Sequence, residues 1–382
     1  MLMERHVAEF TEQFYGEIID QERGDHHNAF ASPLSLFVTM IMMWIGSGGN
    51  TRREIASALT FPESLNKYSI LTATRDLSDV LTDSTNIDVS FANRVYTLNN
   101  LQVRWQFVCE LRNYLNGDLI QFPDDVHYEK SRMEVNKWVE EQTRGIVREL
   151  LPAGSNDDET RMIAVNALYF KGIWKEQFSD SQTYEASFHR LDGTRQKIKM
   201  MYLKHRFDFH QFRWLDAHAI RIPFSDALWE MVIVLPNKRN GLPKLLEHIR
   251  QSGVLRNITS SSYRTEEISL HLPRFQLGLA GSVNVTMILN RMGIRDLFSS
   301  QSANLSGITE QGPLVVSNVF HKAVLKVDEK GATAAAATAA VIGLRSASFT
   351  PNFVVDHPFL VMLVYNKTVP AFVGHCVQPE PN

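Results

Sequence analysis

The sequence predicts a large mixed α+β domain, and three observations support that fold class. Apolar residues recur at helical spacing near the N-terminus, where Val7, Phe10 and Phe14 would share one face. The stretch Met162–Phe170 is apolar on both faces apart from one asparagine, which is typical of a central strand covered on both sides. No linker, repeat or shift in composition divides the chain. We therefore expect a single domain over residues 1–382.

Taken in order, the pattern predicts mostly helices early in the chain and mostly strands late. Asn28–Leu59 indicates a buried helix with Ser32 as its N-cap and Pro33 just inside its start. This helix ends at glycines and is followed by a second helix. Other helices are predicted at about residues 4–20, 105–116, 129–142, 242–250 and 283–297. Strands are predicted at about residues 86–98, 162–170, 268–277, 314–328, 359–365 and 371–377, with short alternating runs over 197–236.

Composition and charge bear on the class of protein. Lys and Arg number 39 against 42 for Asp and Glu, a net charge of −3, so nothing indicates a nucleic-acid partner. The longest apolar run, Leu34–Ile45, is too short for a membrane span, which needs roughly 20 residues. The N-terminus lacks the basic start and long apolar core of a secretory signal. We expect a cytoplasmic or unconventionally secreted protein, or an extracellular one whose signal has been removed from this chain.

Motifs of enzyme chemistry are missing from the sequence. It contains no Gly-x-Ser-x-Gly elbow, no His-Glu-x-x-His pair, no phosphate-binding Gly-Lys-Ser/Thr loop and no paired cysteines with metal-ligand spacing. The glycines at 46–49 are better explained as the end of a helix than as a phosphate cradle. We therefore predict that the protein is not an enzyme and holds no metal.

The most distinctive segment is Asp328–Thr350. Residues 332–340 consist only of Ala and Thr, and Arg345 is the only basic side chain after Gly331 in the segment. Composition alone would equally favour an Ala-rich surface helix or linker, because Ala has the highest helix propensity. Small uncharged side chains can also enter a sheet without the cost of burying a charge. The segment alone does not decide between these interpretations.

Several motifs, in their order and separation, resemble those of the serpins, and the resemblance spans almost the whole chain. They are NAFASPLS at 28–35, NALYFKGIW at 166–174, LPRF at 272–275, LSGIT at 305–309, HKA at 321–323 and HPF at 357–359. Each motif alone is weak, but together they are highly specific. The resemblance implies a serpin fold with three β-sheets, about nine helices and an exposed reactive-centre loop at about 329–350.

The resemblance also implies which residues of the loop act. Counting in the family pattern from Gly331 places the bond offered to a protease between Arg345 and Ser346. Ala332 stands where the family often has Thr, and Ala is small enough to enter the sheet. The residues that match the hinge, which would enter the central sheet first, are Glu329, Gly331, Ala332, Thr333, Ala334, Ala335, Ala336, Ala337 and Thr338.

Two further groups of residues match positions that support loop insertion in serpins. Ser32, Ser35, Asn166 and His321 match the shutter, a polar cluster beneath the point where the central sheet parts. Trp174 and Arg274 match the breach, where insertion starts, and Arg274 is expected to pair with Glu329. From its strand pattern alone, a lone His at 321 is more often a hydrogen-bonded core residue than a ligand.

The resemblance implies a suicide-substrate inhibitor of trypsin-like serine proteases that acts as a monomer and requires no cofactor. The alternative is a non-inhibitory serpin that serves as substrate, carrier or chaperone. Heparin or another glycosaminoglycan is a further possible partner, against the simpler interpretation of a solvated helix face. The basic residues for such a site surround the predicted 242–250 helix and are Lys238, Arg239, Lys244, Arg250 and Arg256.

Overall fold

Nine α-helices form within the residues that the computed structural model describes. Those residues are 2–21, 27–82, 87–98, 101–123, 126–157, 160–278, 282–311, 314–331 and 350–380. The helices are α1 (Leu2–Gln21), α2 (Pro33–Gly46), α3 (Gly49–Ala58), α4 (Lys67–Thr82), α5 (Trp105–Tyr114), α6 (Tyr128–Gln142), α7 (Leu242–Ile249), α8 (Val254–Ser260) and α9 (Thr286–Arg291).

Fifteen strands accompany these helices in the same described residues, so the predicted α+β class is confirmed. They are β1 (Ala29–Ala31), β2 (Ile87–Thr97), β3 (Asp118–Gln121), β4 (Met162–Gly172), β5 (Tyr184–His189), β6 (Arg195–Phe212), β7 (Ala217–Pro223), β8 (Trp229–Pro236), β9 (Arg264–Pro273), β10 (Phe275–Leu277), β11 (Val283–Asn284), β12 (Asn318–Val327), β13 (Asn352–Val354), β14 (Phe359–Tyr365) and β15 (Val369–Cys376).

The strands form a six-stranded and a nine-stranded sheet. In the smaller sheet the order is β10-β12-β4-β2-β3, with β11 also paired to β12; β12 runs parallel to β4. In the larger sheet the order is β1-β15-β14-β8-β7-β6-β9-β13, with β5 paired to β6. Strand β6 is 18 residues long and pairs with β5 through its first part and with β7 through its last. Its continuous hydrogen bonding joins strands that would otherwise form two separate sheets.

Helix α2 lies between the two sheets and packs against β15 of one and β4 of the other. It begins as predicted, because Ser32 Oγ accepts a hydrogen bond from the Ser35 N–H and Pro33 occupies the first turn. Every residue of the helix is buried. In the part of the chain that the structure describes, no helix is both long enough and apolar enough to cross a membrane.

The predicted helix over 283–297 is shorter in the structure. Val283–Asn284 instead forms β11, because it pairs with Phe320 and His321 of β12. Helix α9 then covers only Thr286–Arg291. Gly293 follows with φ = +97°, a left-handed conformation that ends a helix. Pairing with a distant strand has therefore overridden the local helical pattern.

Candidate functional site

A row of three polar residues crosses the six-stranded sheet. Asn93 on β2 is the register partner of Asn166 on β4, and Asn166 is the register partner of His321 on β12. All three residues are buried. A buried polar group is costly unless it is hydrogen-bonded, so the row requires partners beneath the sheet.

Helix α2 supplies most of those partners because it packs against β4. The Ser35 hydroxyl donates to Asn166 Oδ1 at 2.8 Å, and Asn166 Nδ2 donates to Thr39 Oγ1 at 3.1 Å. The same Nδ2 donates to Asn93 Oδ1. Both ends of the Asn166 amide are therefore engaged, which makes this residue the centre of the cluster.

His321 is a neutral imidazole with its proton on Nδ1. The Ser32 backbone N–H donates to Nε2 at 3.0 Å, and Nδ1–H donates to Asn166 Oδ1. Burial lowers the pKa of His321 to about 3, so the ring is uncharged at neutral pH. Because both ring nitrogens are occupied, His321 is a hydrogen-bonded core residue, as the strand pattern indicated. Ser32 Oγ also donates to the Ala371 carbonyl of β15 at 2.9 Å, which ties the cluster to the larger sheet.

A second cluster surrounds Glu329, which lies just after β12 and is 3% exposed. The Thr183 hydroxyl donates to Glu329 Oε1 at 2.6 Å. Arg274 Nε lies 3.4 Å from Glu329 Oε2, so the structure brings this predicted pair together. A buried carboxylate with a charged and a hydroxyl partner is held in place on both of its oxygens.

Trp174 holds the chain that leaves β12 on both sides of Glu329. Its indole Nε1 donates to the Asp328 carbonyl at 2.9 Å, and its backbone N–H donates to the Lys330 carbonyl at 3.2 Å. The indole stacks on Phe224 with 4.6 Å between ring centroids. The predicted residues Trp174 and Arg274 therefore both lie at the end of β12.

Gly331 approaches the end of β4 so closely that no side chain fits. It forms an isolated bridge with Ile173, one residue beyond β4. Its φ is +111°, and a Cβ at this position would lie 2.3 Å from the Gly172 carbonyl oxygen. This glycine is required both by its backbone conformation and by the space around it.

The predicted reactive bond, Arg345–Ser346, lies outside the described residues. So do the hinge residues Ala332, Thr333, Ala334, Ala335, Ala336, Ala337 and Thr338. On the described flanks, β12 ends at Val327 and β13 begins at Asn352.

The five basic residues considered for polyanion binding do not form a free positive patch. The arginines Arg239, Arg250 and Arg256 form ion pairs with Asp356, Asp20, and Glu9 and Glu12, respectively. Lys238 and Lys244 are exposed. Nearby carboxylates therefore offset most of this positive charge. Among the described residues, no group of three or more His, Cys, Asp or Glu is placed to hold a metal ion.

Three members of these clusters were missed from the sequence. Asn93 lies on β2, which also carries Asp88, Ser90, Arg94 and Thr97, so a polar residue there does not stand out as Asn166 does on β4. Thr39 lies in an apolar helix, where one hydroxyl is common because it can bond to its own helix. Thr183 lies outside regular structure and carries no signal in the sequence.

Comparison with known proteins identifies the family. The serpin (serine protease inhibitor) profile matches residues 5–379. The chain is 32% identical to Iris of Ixodes ricinus over 97% of this chain and 98% of the relative. It is 30% identical to the human (Homo sapiens) leukocyte elastase inhibitor over 89% of this chain and 90% of the relative.

Solved structures agree with this assignment. The fold is similar to that of Serpin48 of the insect Tenebrio molitor, with a TM-score of 0.88, 26% identity and coverage of 99% of this chain and 98% of that one. It is also similar to uncleaved ovalbumin, with a TM-score of 0.88, 27% identity and coverage of 99% and 100%. The motifs, the fold and these relatives lead to one conclusion: the chain belongs to the serpin family of serine protease inhibitors and is not an enzyme.

Proposed function

We propose that this serpin is a suicide-substrate inhibitor of trypsin-like serine proteases, cleaved between Arg345 and Ser346. One observation carries the proposal. Gly331, where the loop leaves the sheet, is bridged to Ile173 at the end of β4. The loop therefore starts at one end of the line along which β4 and β12 pair, which we call the β4–β12 seam. A segment that turned back along β12 would enter the sheet there.

The first step is attack on the loop as a substrate. The protease serine adds to the Arg345 carbonyl, the peptide bond to Ser346 breaks, and Arg345 becomes an ester on the enzyme. A guanidinium matches a specificity pocket with a carboxylate at its base, which is the pocket of trypsin-like enzymes. One inhibitor molecule is expected to act on one protease molecule.

The second step is insertion of the freed segment between β12 and β4. Loop insertion in serpins is a known case of strand addition to an existing sheet. The 15 residues from Gly331 to Arg345 span on the order of 50 Å when extended at about 3.3 Å per residue. No side chain from Gly331 to Leu344 is charged, so insertion desolvates no charge. Moving the acylated protease by that distance would distort its active site and stall release.

The two polar clusters have distinct roles in this proposal. The row of Asn93, Asn166 and His321 lies across the β4–β12 seam and holds it shut until insertion, which matches the shutter. Glu329, with Arg274 and Trp174, holds the start of the loop at the end of the seam, which matches the breach. Both clusters act in this proposal by positioning the sheet and the start of the loop.

The relatives named leukocyte elastase inhibitor raise a different target class. An elastase has a small specificity pocket that would reject a guanidinium. Because Arg345 occupies the counted position in this chain, a trypsin-like target is favoured here. The non-inhibitory alternative would favour a charged or bulky hinge, and residues 331–340 are only Gly, Ala and Thr.

Incubation with trypsin and, in parallel, with leukocyte elastase tests the proposal. We expect trypsin to form a complex stable to heat and detergent, with release of residues 346–382 seen by intact mass. The variant R345A should lose the trypsin complex and is the matched control. Cleavage after Arg345 without a stable complex would overturn inhibition, and a stable complex with elastase alone would overturn the trypsin-like target.

A further inference from the structure

A half-enclosed cavity of about 610 Å³ lies beside His321, outside the hydrogen-bonded cluster. It is bounded by α1, β1, β12, the start of α9 and the chain after β15. Phe14, Phe30, Val285 and Ile288 form part of an apolar wall. Small-molecule pockets in proteins typically measure about 300–1,000 Å³ and have such walls with a few polar groups.

The cavity lies beside β12, at a point where two different short strands pair with it. β10 pairs with β12 at residues 325–327, and β11 pairs with it at residues 320–321. Between these pairings, Gly278 passes so close to β12 that a Cβ would lie 1.9 Å from the Ala323 carbonyl oxygen. The described residues that line the cavity therefore come from segments far apart in the chain.

Two polar groups at the cavity are not fully used by the fold. Ser282 Oγ is buried and makes no hydrogen bond to any residue that the structure describes. The carboxylate of Glu380 lies at the wall formed after β15, with Oε1 at a long 3.5 Å from Asn28 Nδ2. An orphan hydroxyl and a weakly paired carboxylate beside apolar walls indicate a ligand that is apolar and carries a hydrogen-bond donor.

Lys322, which also lines the cavity, does not cancel the negative charge of Glu380. Lys322 contributes to the lining, but alternation along β12 directs its side chain away from the face of His321 and Ala323. Burial lowers the pKa of its ammonium, and the negative charge of Glu149 opposes this shift. The charge presented to a ligand is therefore that of Glu380.

We propose that this cavity binds a small apolar amine. Its apolar body would pack against the walls from α1 and α9, and its ammonium would face Glu380. The Ser282 hydroxyl would supply a further hydrogen bond. None of the described residues that line this site belongs to the proposed inhibitory loop.

The test uses two probes, 4-phenylbutylamine and 4-phenylbutyrate. Each has a phenyl ring on a short alkyl chain, and their charged groups have opposite sign. Calorimetric titration of the full chain should show binding of the amine, with the carboxylate about two- to fivefold weaker because the charged group is partly solvated. The amine should also raise the midpoint of thermal unfolding as its concentration rises, because a ligand that binds the folded state stabilises it.

Three variants identify the site. Val283 is the register partner of His321, so the two side chains share a face and V283W should fill the cavity and abolish amine binding. V80W places the same change at a similarly exposed valine on α4 and should bind like wild type. E380Q keeps the volume and should make the two probes bind equally. Amine binding that survives V283W, or no binding of either probe at millimolar concentration, would overturn the proposal.

Discussion

The Thr183 hydroxyl donates a 2.6 Å hydrogen bond to Oε1 of the buried Glu329, whose other oxygen faces Arg274. Thr183 lies just before β5, whereas Glu329 lies just after β12. The bond therefore joins the edge of the nine-stranded sheet to the chain where the proposed loop begins. A hydroxyl that donates to a buried carboxylate stabilises the fold more than a hydroxyl that donates to an exposed carboxylate. When the donor is removed, the buried carboxylate is left with an unsatisfied oxygen.

Replacing this hydroxyl should destabilise the protein. T183V keeps the shape of the side chain but removes the donor to Glu329, and we expect a loss of about 1–3 kcal/mol. The midpoint of thermal unfolding measures the effect. T194V is the matched control, since its hydroxyl donates at 2.6 Å to the exposed Asp192. Equal shifts in both variants would contradict the role given to Thr183.

Removing the Asn166 amide at the centre of the polar row should lower the free energy of unfolding more than T183V does. N166A deletes the partners of Ser35, Thr39 and Asn93 and leaves His321 Nδ1–H without an acceptor, so we expect at least about 3 kcal/mol. Urea-induced unfolding gives the free energy change. N237A, which removes a single exposed bond to Asp216, should change it by less than about 0.5 kcal/mol. A small effect of N166A would show that the row is not a coupled network.

His321 should make stability depend on pH below neutrality. Burial lowers its pKa from 6.5 to about 3, so between these values only the unfolded chain binds a proton at this site. The free energy of unfolding therefore falls as pH is lowered from 6.5, by up to about 1.4 kcal/mol per pH unit, and this contribution is fully present above 6.5. We expect H321Q to show a flatter profile between about pH 7 and 5. H205Q, at an exposed histidine, should keep the wild-type slope.

A charge in the proposed hinge should separate cleavage from inhibition. A334D would require a carboxylate to enter the sheet during insertion, which is slow because the charge must be desolvated. We expect cleavage by trypsin at Arg345 with little stable complex, read as the ratio of complex to cleaved chain. A347D lies after the cleaved bond and does not insert, so it should keep the complex. Retained complex in A334D would argue against insertion of this segment.

Polyanion binding should be weak. Arg239, Arg250 and Arg256 are paired with carboxylates, so few free cations remain to release counterions from heparin. We expect elution from a heparin column below physiological salt, unchanged in a variant with K244A and R250A together. Elution above physiological salt that is lost in this variant would establish a site here.

The sequence by itself determined the fold class, the family and some of the polar cluster residues, Asn166 and His321 among them. Periodicity located α1, α2, β4 and β12, since a half-buried helix or fully buried strand leaves a local pattern. Asn166 stood out because a polar residue in a buried strand must have partners. The family motifs then related Arg274 to Glu329, a pair that no local pattern connects.

Only the tertiary structure decided which groups complete each cluster. Strand register across β2, β4 and β12 aligned Asn93 with Asn166 and His321, and register depends on contacts between segments far apart in the chain. Helix α8 follows Gly253, and α1 supports its start through Glu12, which accepts the N–H groups of Gly253 and Arg256. The cavity beside His321 is likewise lined, among the described residues, by segments far apart in the chain. Its shape and charge arise when these segments pack together, so no stretch of sequence carries them.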